Sequence, residues 1–169
     1  ASERGHFVTL YEKSERLGGL LNYADHVVFK KDLARFKNYL IHQVEKDSRI
    51  SVRLSTPATP ELIRELAPDA VIVGIGSKPV VPGKIPGVDG GTVFTVEQVL
   101  TGAADLAGKR VAVIGAGITG IETAEFLAAR KAEVTVVDLL EQVAPNANHT
   151  NVGDVCGRLA QYGTRFLLG

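Results

Sequence analysis

The sequence predicts an α/β protein with parallel sheets, and three observations carry that expectation. An apolar run, Val111-Ala112-Val113-Ile114, follows the basic pair Lys109-Arg110 and stops at Gly115. Residues from Ile118 to about Arg130 then have the character of a helix. A second apolar run, Glu133-Val134-Thr135-Val136-Val137, follows directly, as happens when a helix carries the chain back to the same edge of a sheet.

The bend between the first strand and the helix is Gly115-Ala116-Gly117-Ile118-Thr119-Gly120, with the spacing Gly-x-Gly-x-x-Gly. At that spacing Gly115 permits a sharp turn off the strand, and Gly117 leaves bare backbone where a pyrophosphate could approach. Gly120, with Ala124 one turn later, lets helix and strand pack closely. The helix start presents free N–H groups and a positive dipole end. The second strand closes on Asp138, about 20 residues past the glycines, where a dinucleotide site places a carboxylate for ribose hydroxyls. A glycine-rich turn without a ligand would explain the glycines alone. Strand, turn, helix, strand and acid together point to a Rossmann-like three-layer unit that binds a dinucleotide.

Composition narrows the remaining classes. The 169 residues suit one domain or two small ones, and 45% apolar content supplies a core. Zero formal net charge gives no steering toward nucleic acid or an anionic membrane. No run is long enough to span a bilayer and no signal peptide opens the sequence, so the expected location is cytoplasmic. The single cysteine, Cys156, excludes a disulfide pair or an all-cysteine metal or iron–sulfur site within these residues, and is expected to be a small buried residue on a helix. His6, His26, His42 and His149 lack metal-ligand spacing. Methionine is absent, even at the start, so the sequence is expected to be a fragment or a processed chain.

Taken in order, residues 1–12 predict the end of a helix, a turn at Gly5 and a strand Phe7-Val8-Thr9-Leu10-Tyr11 closed by Glu12. This repeats the strand-plus-acid ending seen at Asp138. A first strand and a Gly-rich turn are expected ahead of it. The pair Gly18-Gly19 suits either a close backbone approach to a cofactor or a tight turn. Phe29 to Lys46 predicts an amphipathic, core-facing helix through Leu33, Phe36, Leu40, Ile41 and Val44. A short strand, Ile50 to Leu54, and a helix from Thr59 or Pro60 to near Ala67 follow, with Thr59 as N-cap. Asp69 to Ser77 predicts a buried strand, and Pro79, Pro82 and Pro86 predict an extended exit over 79–90. Thr95 to Leu100 predicts a short helix. Beyond Asp138 an irregular stretch leads to a helix from Asn151 or Gly153 to Gln161, a stop at Gly163 and a last strand, Thr164 to Leu168.

The succession Val8-Thr9-Leu10-Tyr11-Glu12-Lys13, Arg16-Leu17-Gly18-Gly19, Asp69 to Pro79, Ile85-Pro86-Gly87 and the Gly115–Gly120 turn resembles the flavoproteins with two dinucleotide-binding domains. Among them it looks most like the C-terminal FAD/NAD(P) region of the NADH:flavin oxidoreductases of the 2,4-dienoyl-CoA reductase and 2-enoate reductase type. The resemblance implies two incomplete dinucleotide-binding units. Residues 1–103 would be a partial FAD domain lacking its first strand and Gly-rich loop, with a crossover over 79–108. Residues 109–169 would be an NAD unit truncated at its C-terminal end. It further implies that Glu12 contacts the FAD ribose, that Lys13, Arg16, Gly18 and Gly19 lie along the FAD, and that Gly74, Ile75 and Gly76 form the crossover motif. Gly115, Gly117, Ile118, Thr119 and Gly120 would hold the NAD pyrophosphate and Asp138 its ribose, with Glu122 near the nicotinamide or simply a polar helix residue.

The implied role is hydride transfer from NADH to FAD, feeding an FMN-bearing barrel domain through an iron–sulfur cluster that these residues do not themselves bind. No side chain here is required as acid or base, so no catalytic residue and no metal ligand is named. Asp138 followed by Leu139-Leu140-Glu141-Gln142 favours NAD over NADP, because no cation awaits a 2′-phosphate. Two other readings stay open: an electron-transfer unit like the glutamate synthase small subunit, and an NAD-binding sensor module without turnover.

Overall fold

A computed structural model describes residues 1–27 and 30–169, and the chain forms two compact units. The first holds residues 1–25 and 30–78. The second holds residues 79–169 with a short stretch beginning at His26.

In the first unit a single 3-10 turn, Ser2–Arg4, is closed by Gly5 at φ +92°. Strand β1 (Val8–Tyr11) follows, then the short helix α1 (Leu21–Ala24), helix α2 (Lys31–Lys46), strand β2 (Ile50–Arg53) and helix α3 (Pro60–Leu66). β1 and β2 pair in parallel, Val8 opposite Ile50 and Tyr11 opposite Arg53. Thr59 caps α3 as its sequence position suggests, its hydroxyl accepting from the Leu62 N–H at 3.2 Å. Helix α2 lies where the periodicity put it, except that Phe29 is outside the described residues. Its apolar stripe is covered only in part: Leu33, Ile41 and Val44 are half-buried, while Phe36 and Leu40 remain exposed. A two-stranded sheet is too narrow to cover a sixteen-residue helix from end to end.

Two expectations fail between the units. Asp69 to Ser77 forms no strand: Ile72 is 84% and Ile75 85% exposed, and the segment joins neither ladder. An apolar run becomes a strand only where a neighbouring edge accepts its N–H and C=O groups, and among the described residues β1 offers a ladder to β2 alone. Nor does the proline-rich exit stay extended to residue 90. From Pro82 it folds into successive tight turns, Ile85 N–H to Pro82 O, Val88 N–H to Ile85 O and Gly90 N–H to Gly87 O. Prolines set their own φ but leave the residues after them free to turn.

The second unit opens with helix α4 (Val96–Leu100), started by a reciprocal capping box between Thr95 and Gln98. Strand β3 (Arg110–Ile114), helix α5 (Ile118–Ala128), strand β4 (Glu133–Asp138), helix α6 (His149–Gln161) and strand β5 (Arg165–Leu168) complete it. The sheet is parallel in the order β3-β4-β5, with Ile114 opposite Val137 and Asp138 opposite Leu168. Val113, Val134 and Val136 are buried on the covered side of the sheet, and Ile121, Ala124 and Leu127 supply the matching face of α5. Leu159 and Val155 of α6 complete that core. β3, apolar from Val111 to Ile114, is buried on one face: Ile114 is 63% exposed. α6 starts two residues before Asn151 and four before Gly153, the two expected starts, because Asn148 accepts the end N–H groups of Thr150 and Asn151. Cys156 sits on α6 half-buried instead of buried, and desolvation pushes its thiol pKa up. No helix among the described residues is long and apolar enough to cross a membrane.

Candidate functional site

The bend from β3 to α5 gathers most of the second unit's candidate residues. Gly115 takes φ +108°, a left-handed conformation that side chains disfavour. Its N–H donates to Val137 O at 2.8 Å, which ties the turn to the neighbouring strand. A Cβ on Gly120 would lie 1.9 Å from Gly115 O, so the helix can approach the turn only with glycine there. A Cβ on Gly117 would meet nothing within 4 Å. The room beside Gly117 is therefore open. Gly117 is the N-cap of α5, and no side chain caps that end, so its first N–H groups face outward at the positive pole of an eleven-residue helix. Ile118 and Thr119 form the first helical positions, and Glu122 follows one turn along, half-buried.

Asp138 is brought to the same bend from the end of β4. Its Oδ2 accepts from the Ala116 N–H at 2.6 Å and its Oδ1 from the Leu140 N–H at 2.9 Å. These bonds, that from Leu140 foremost, hold the carboxyl below the usual carboxylate range. Each oxygen keeps a further lone pair for a hydroxyl. No sequence signal marks a second clamp on this loop. Ala144, 5% exposed and at φ +42°, donates its N–H to Ala116 O at 2.9 Å. Ala116 is thus bonded at both ends and 1% exposed. No residue-type signal marks Ala144, since the contact is made by backbone.

A further feature missed in the sequence braces the helix behind the bend. Glu125 of α5, 7% exposed, accepts from Arg158 of α6 through Nε at 2.5 Å and Nη2 at 3.1 Å, and Arg158 also pairs with Asp154. The fork holds Arg158 firmly protonated, Glu125 being the larger cause.

In the first unit Glu12 ends just past β1, where the acid was expected. Its Oε1 accepts from the Ser14 N–H at 2.8 Å and the Ser14 hydroxyl at 2.9 Å, and these bonds lower its pKa. Both Ser14 bonds fall on Oε1, which leaves Oε2 able to accept from an outside hydroxyl. Lys13 and Arg16 are exposed beside it. Gly18 and Gly19 form the next turn at φ +113° and +49°, and a Cβ on Gly19 would meet nothing within 4 Å. Gly74, Ile75 and Gly76 belong to the exposed 69–77 segment, and no described hydrogen bond brings them to Glu12 or to the Gly18–Gly19 turn. Among the described residues no group of three or more His, Cys, Asp or Glu could hold a metal ion.

Residues 8–169 match the family described as pyridine nucleotide-disulphide oxidoreductase. The chain is 37% identical over 147 residues to an NADH oxidase of Thermoanaerobacter brockii, covering 85% of this chain and 22% of that protein. It is 39% identical over 150 residues to a bilirubin reductase of Mediterraneibacter gnavus, covering 89% of this chain and 23% of that one. Among solved structures it superimposes on 2-naphthoyl-CoA reductase with a TM-score of 0.89 at 32% identity, over 99% of this chain and 25% of that one. The chain therefore spans about a quarter of the length of these relatives.

Proposed function

The chain belongs to the pyridine nucleotide-disulphide oxidoreductase family, and from that premise we propose that it is the electron-input part of a larger NADH-dependent flavin oxidoreductase. The observation that carries the reading is the β3–α5 bend: open space at Gly117, uncapped helix N–H groups, and an ionised Asp138 tied to the same loop. That donor set suits a diphosphate and its ribose. In this reading the backbone from Gly117 to Gly120 binds the pyrophosphate of NADH, and Asp138 accepts from the adenosine ribose. Glu12, through Oε2, and the Gly18–Gly19 turn do the same for FAD. Nicotinamide and flavin supply the hydride chemistry, and the chain orients them.

The finer assignment, also proposed, is to the 2,4-dienoyl-CoA reductase and 2-enoate reductase branch, with an FMN barrel and an iron–sulfur cluster elsewhere in the intact protein. A lone Cys156 cannot hold such a cluster, so none of that chemistry is assigned to these residues. The named relatives, an NADH oxidase and a bilirubin reductase, support a flavin enzyme that draws on NADH. The disposition of residues 1–103 and 109–169 as FAD and NAD units is part of the same proposal.

The test is the colour and turnover of the intact protein. Purified, it is expected to show flavin absorbance and to oxidise NADH with an artificial acceptor. A colourless protein that binds NADH without oxidising it would instead indicate a sensing module. NADH is expected to bind at least about tenfold tighter than NADPH, because a 2′-phosphate would meet Asp138 and the residues that follow it, Leu139-Leu140-Glu141-Gln142, carry no cation. Equal affinities by calorimetry would remove Asp138 from the site.

A further inference from the structure

The Gly18–Gly19 turn is held from behind by a relay that its sequence does not announce. A Cβ at Gly18 would lie 2.8 Å from Asn22 Oδ1 and 2.9 Å from Nδ2, so the amide of α1 is pressed against the turn. Asn22 is 8% exposed and donates through Nδ2 to Leu17 O at 3.0 Å, the carbonyl just before the glycines. Its Oδ1 accepts from Lys37 Nζ at 2.9 Å. Lys37, on α2, also donates to the Asp25 carboxylate, and the two side chains are only 14% and 12% exposed. Chemistry fixes the direction of each bond. An ammonium only donates and a carbonyl only accepts, so Lys37 orients the amide and thereby aims Nδ2 at Leu17.

Backbone bonds also hold this turn, Gly18 O accepting from the Leu21 N–H at 3.0 Å and Gly19 O from the Asn22 N–H at 3.1 Å. Arg16, Leu17, Asn22 and Lys37 line one cleft of about 460 Å³, with Ile41 and Leu54 on other parts of its wall. Leu17, just before the glycines, borders that open space, and the Asn22 bond to its carbonyl fixes the entry to the turn. We propose that Asn22 is a positioning residue for the flavin dinucleotide, and that Lys37, neutralised by Asp25, is the residue that sets it. The inference rests on the reading that Gly18–Gly19 lies along FAD. Two glycines at positive φ have little conformational preference of their own, and a turn meant to approach a ligand closely needs an outside support.

The experiment uses the intact protein, stripped of flavin and titrated with FAD. Lys37→Met keeps the length of the stem and removes the donors. Asn22→Leu keeps the volume and removes both amide groups. Each is expected to weaken FAD binding by about tenfold, the effect of losing one charge-assisted hydrogen bond. NADH affinity should stay at the wild-type value in Lys37→Met, whose unfolding midpoint falls because the Asp25 carboxylate, 12% exposed, loses its cation, and Lys37→Arg should restore both that midpoint and FAD affinity. Unchanged FAD affinity in both Lys37→Met and Asn22→Leu, with wild-type protein binding FAD normally, overturns the relay alone. Parallel loss of FAD and NADH binding with a lowered midpoint also overturns it, since the residues would then merely support the fold. Wild-type protein that takes up no FAD overturns the reading of the turn itself, and the relay with it.

Discussion

Replacing Gly120 by alanine tests whether close approach of α5 to the turn is what the glycine is for. The added Cβ would sit 1.9 Å from Gly115 O, 3.0 Å from Gly115 C and 3.8 Å from Val113 Cγ1. The first two are backbone atoms and cannot swing aside. Ordinary C···O contacts are about 3.3–3.6 Å, so the helix start must retreat by roughly 1.5 Å. Overpacking of that kind costs about 1–3 kcal/mol, and more when backbone must move. Alanine's better helix propensity returns at most about 1 kcal/mol, less in a first turn. A net loss of about 2 kcal/mol is expected, read as a lower midpoint in urea with unchanged slope. NADH binding should weaken as well, because the N–H groups at the helix start move with it. Gly117→Ala is the matching control. Its Cβ meets nothing and Gly117 has an ordinary φ of −66°, so stability should hold within about 0.5 kcal/mol while NADH affinity falls. Wild-type stability and wild-type NADH affinity in Gly120→Ala would refute the reasoning.

Other consequences are as direct. Asp138 has a folded pKa below its unfolded value, so the unfolded chain binds more protons as pH falls. Its contribution to stability is complete above the ordinary carboxylate range and is lost as pH drops through the depressed folded pKa. The stability gap between wild type and Asp138→Asn should therefore close at the acid end of a pH series of urea melts; a gap that widens there would contradict the bonding described. Glu125→Ala removes the fork from an Arg158 that keeps Asp154 and should cost about 2 kcal/mol, whereas the double replacement Glu125→Leu with Arg158→Leu should recover much of that in the same assay. Thr95→Ala removes the capping box of α4 and should cost about 1 kcal/mol, measured by thermal unfolding.

Much of the second unit was legible because its signals are local. Val111 to Ile114 alternates its burial as a strand must, Gly115 and Gly120 carry backbone demands that only glycine meets, and Asp138 falls at the end of a strand whose register follows from a single helical return. The first unit was less legible. Its run Val71-Ile72-Val73 has strand composition, yet composition does not supply a partner edge, and the run lies exposed. The prolines at 79, 82 and 86 were informative about φ at their own positions and silent about the turns that follow them.

The sequence by itself determined the order of elements in the second unit, the parallel sense of its sheet and the place of the glycine turn, since periodicity, glycine spacing and caps act over a few residues. Only the tertiary structure decided which atoms hold that turn, the helix after it and the Gly18–Gly19 turn. Ala144 reaches Ala116 through backbone, Glu125 meets Arg158 across 33 positions, and Lys37 orients Asn22 across 15. Such contacts arise from the distances that folding sets between remote residues, and residue identity does not encode them until the chain has brought its ends of each bond together.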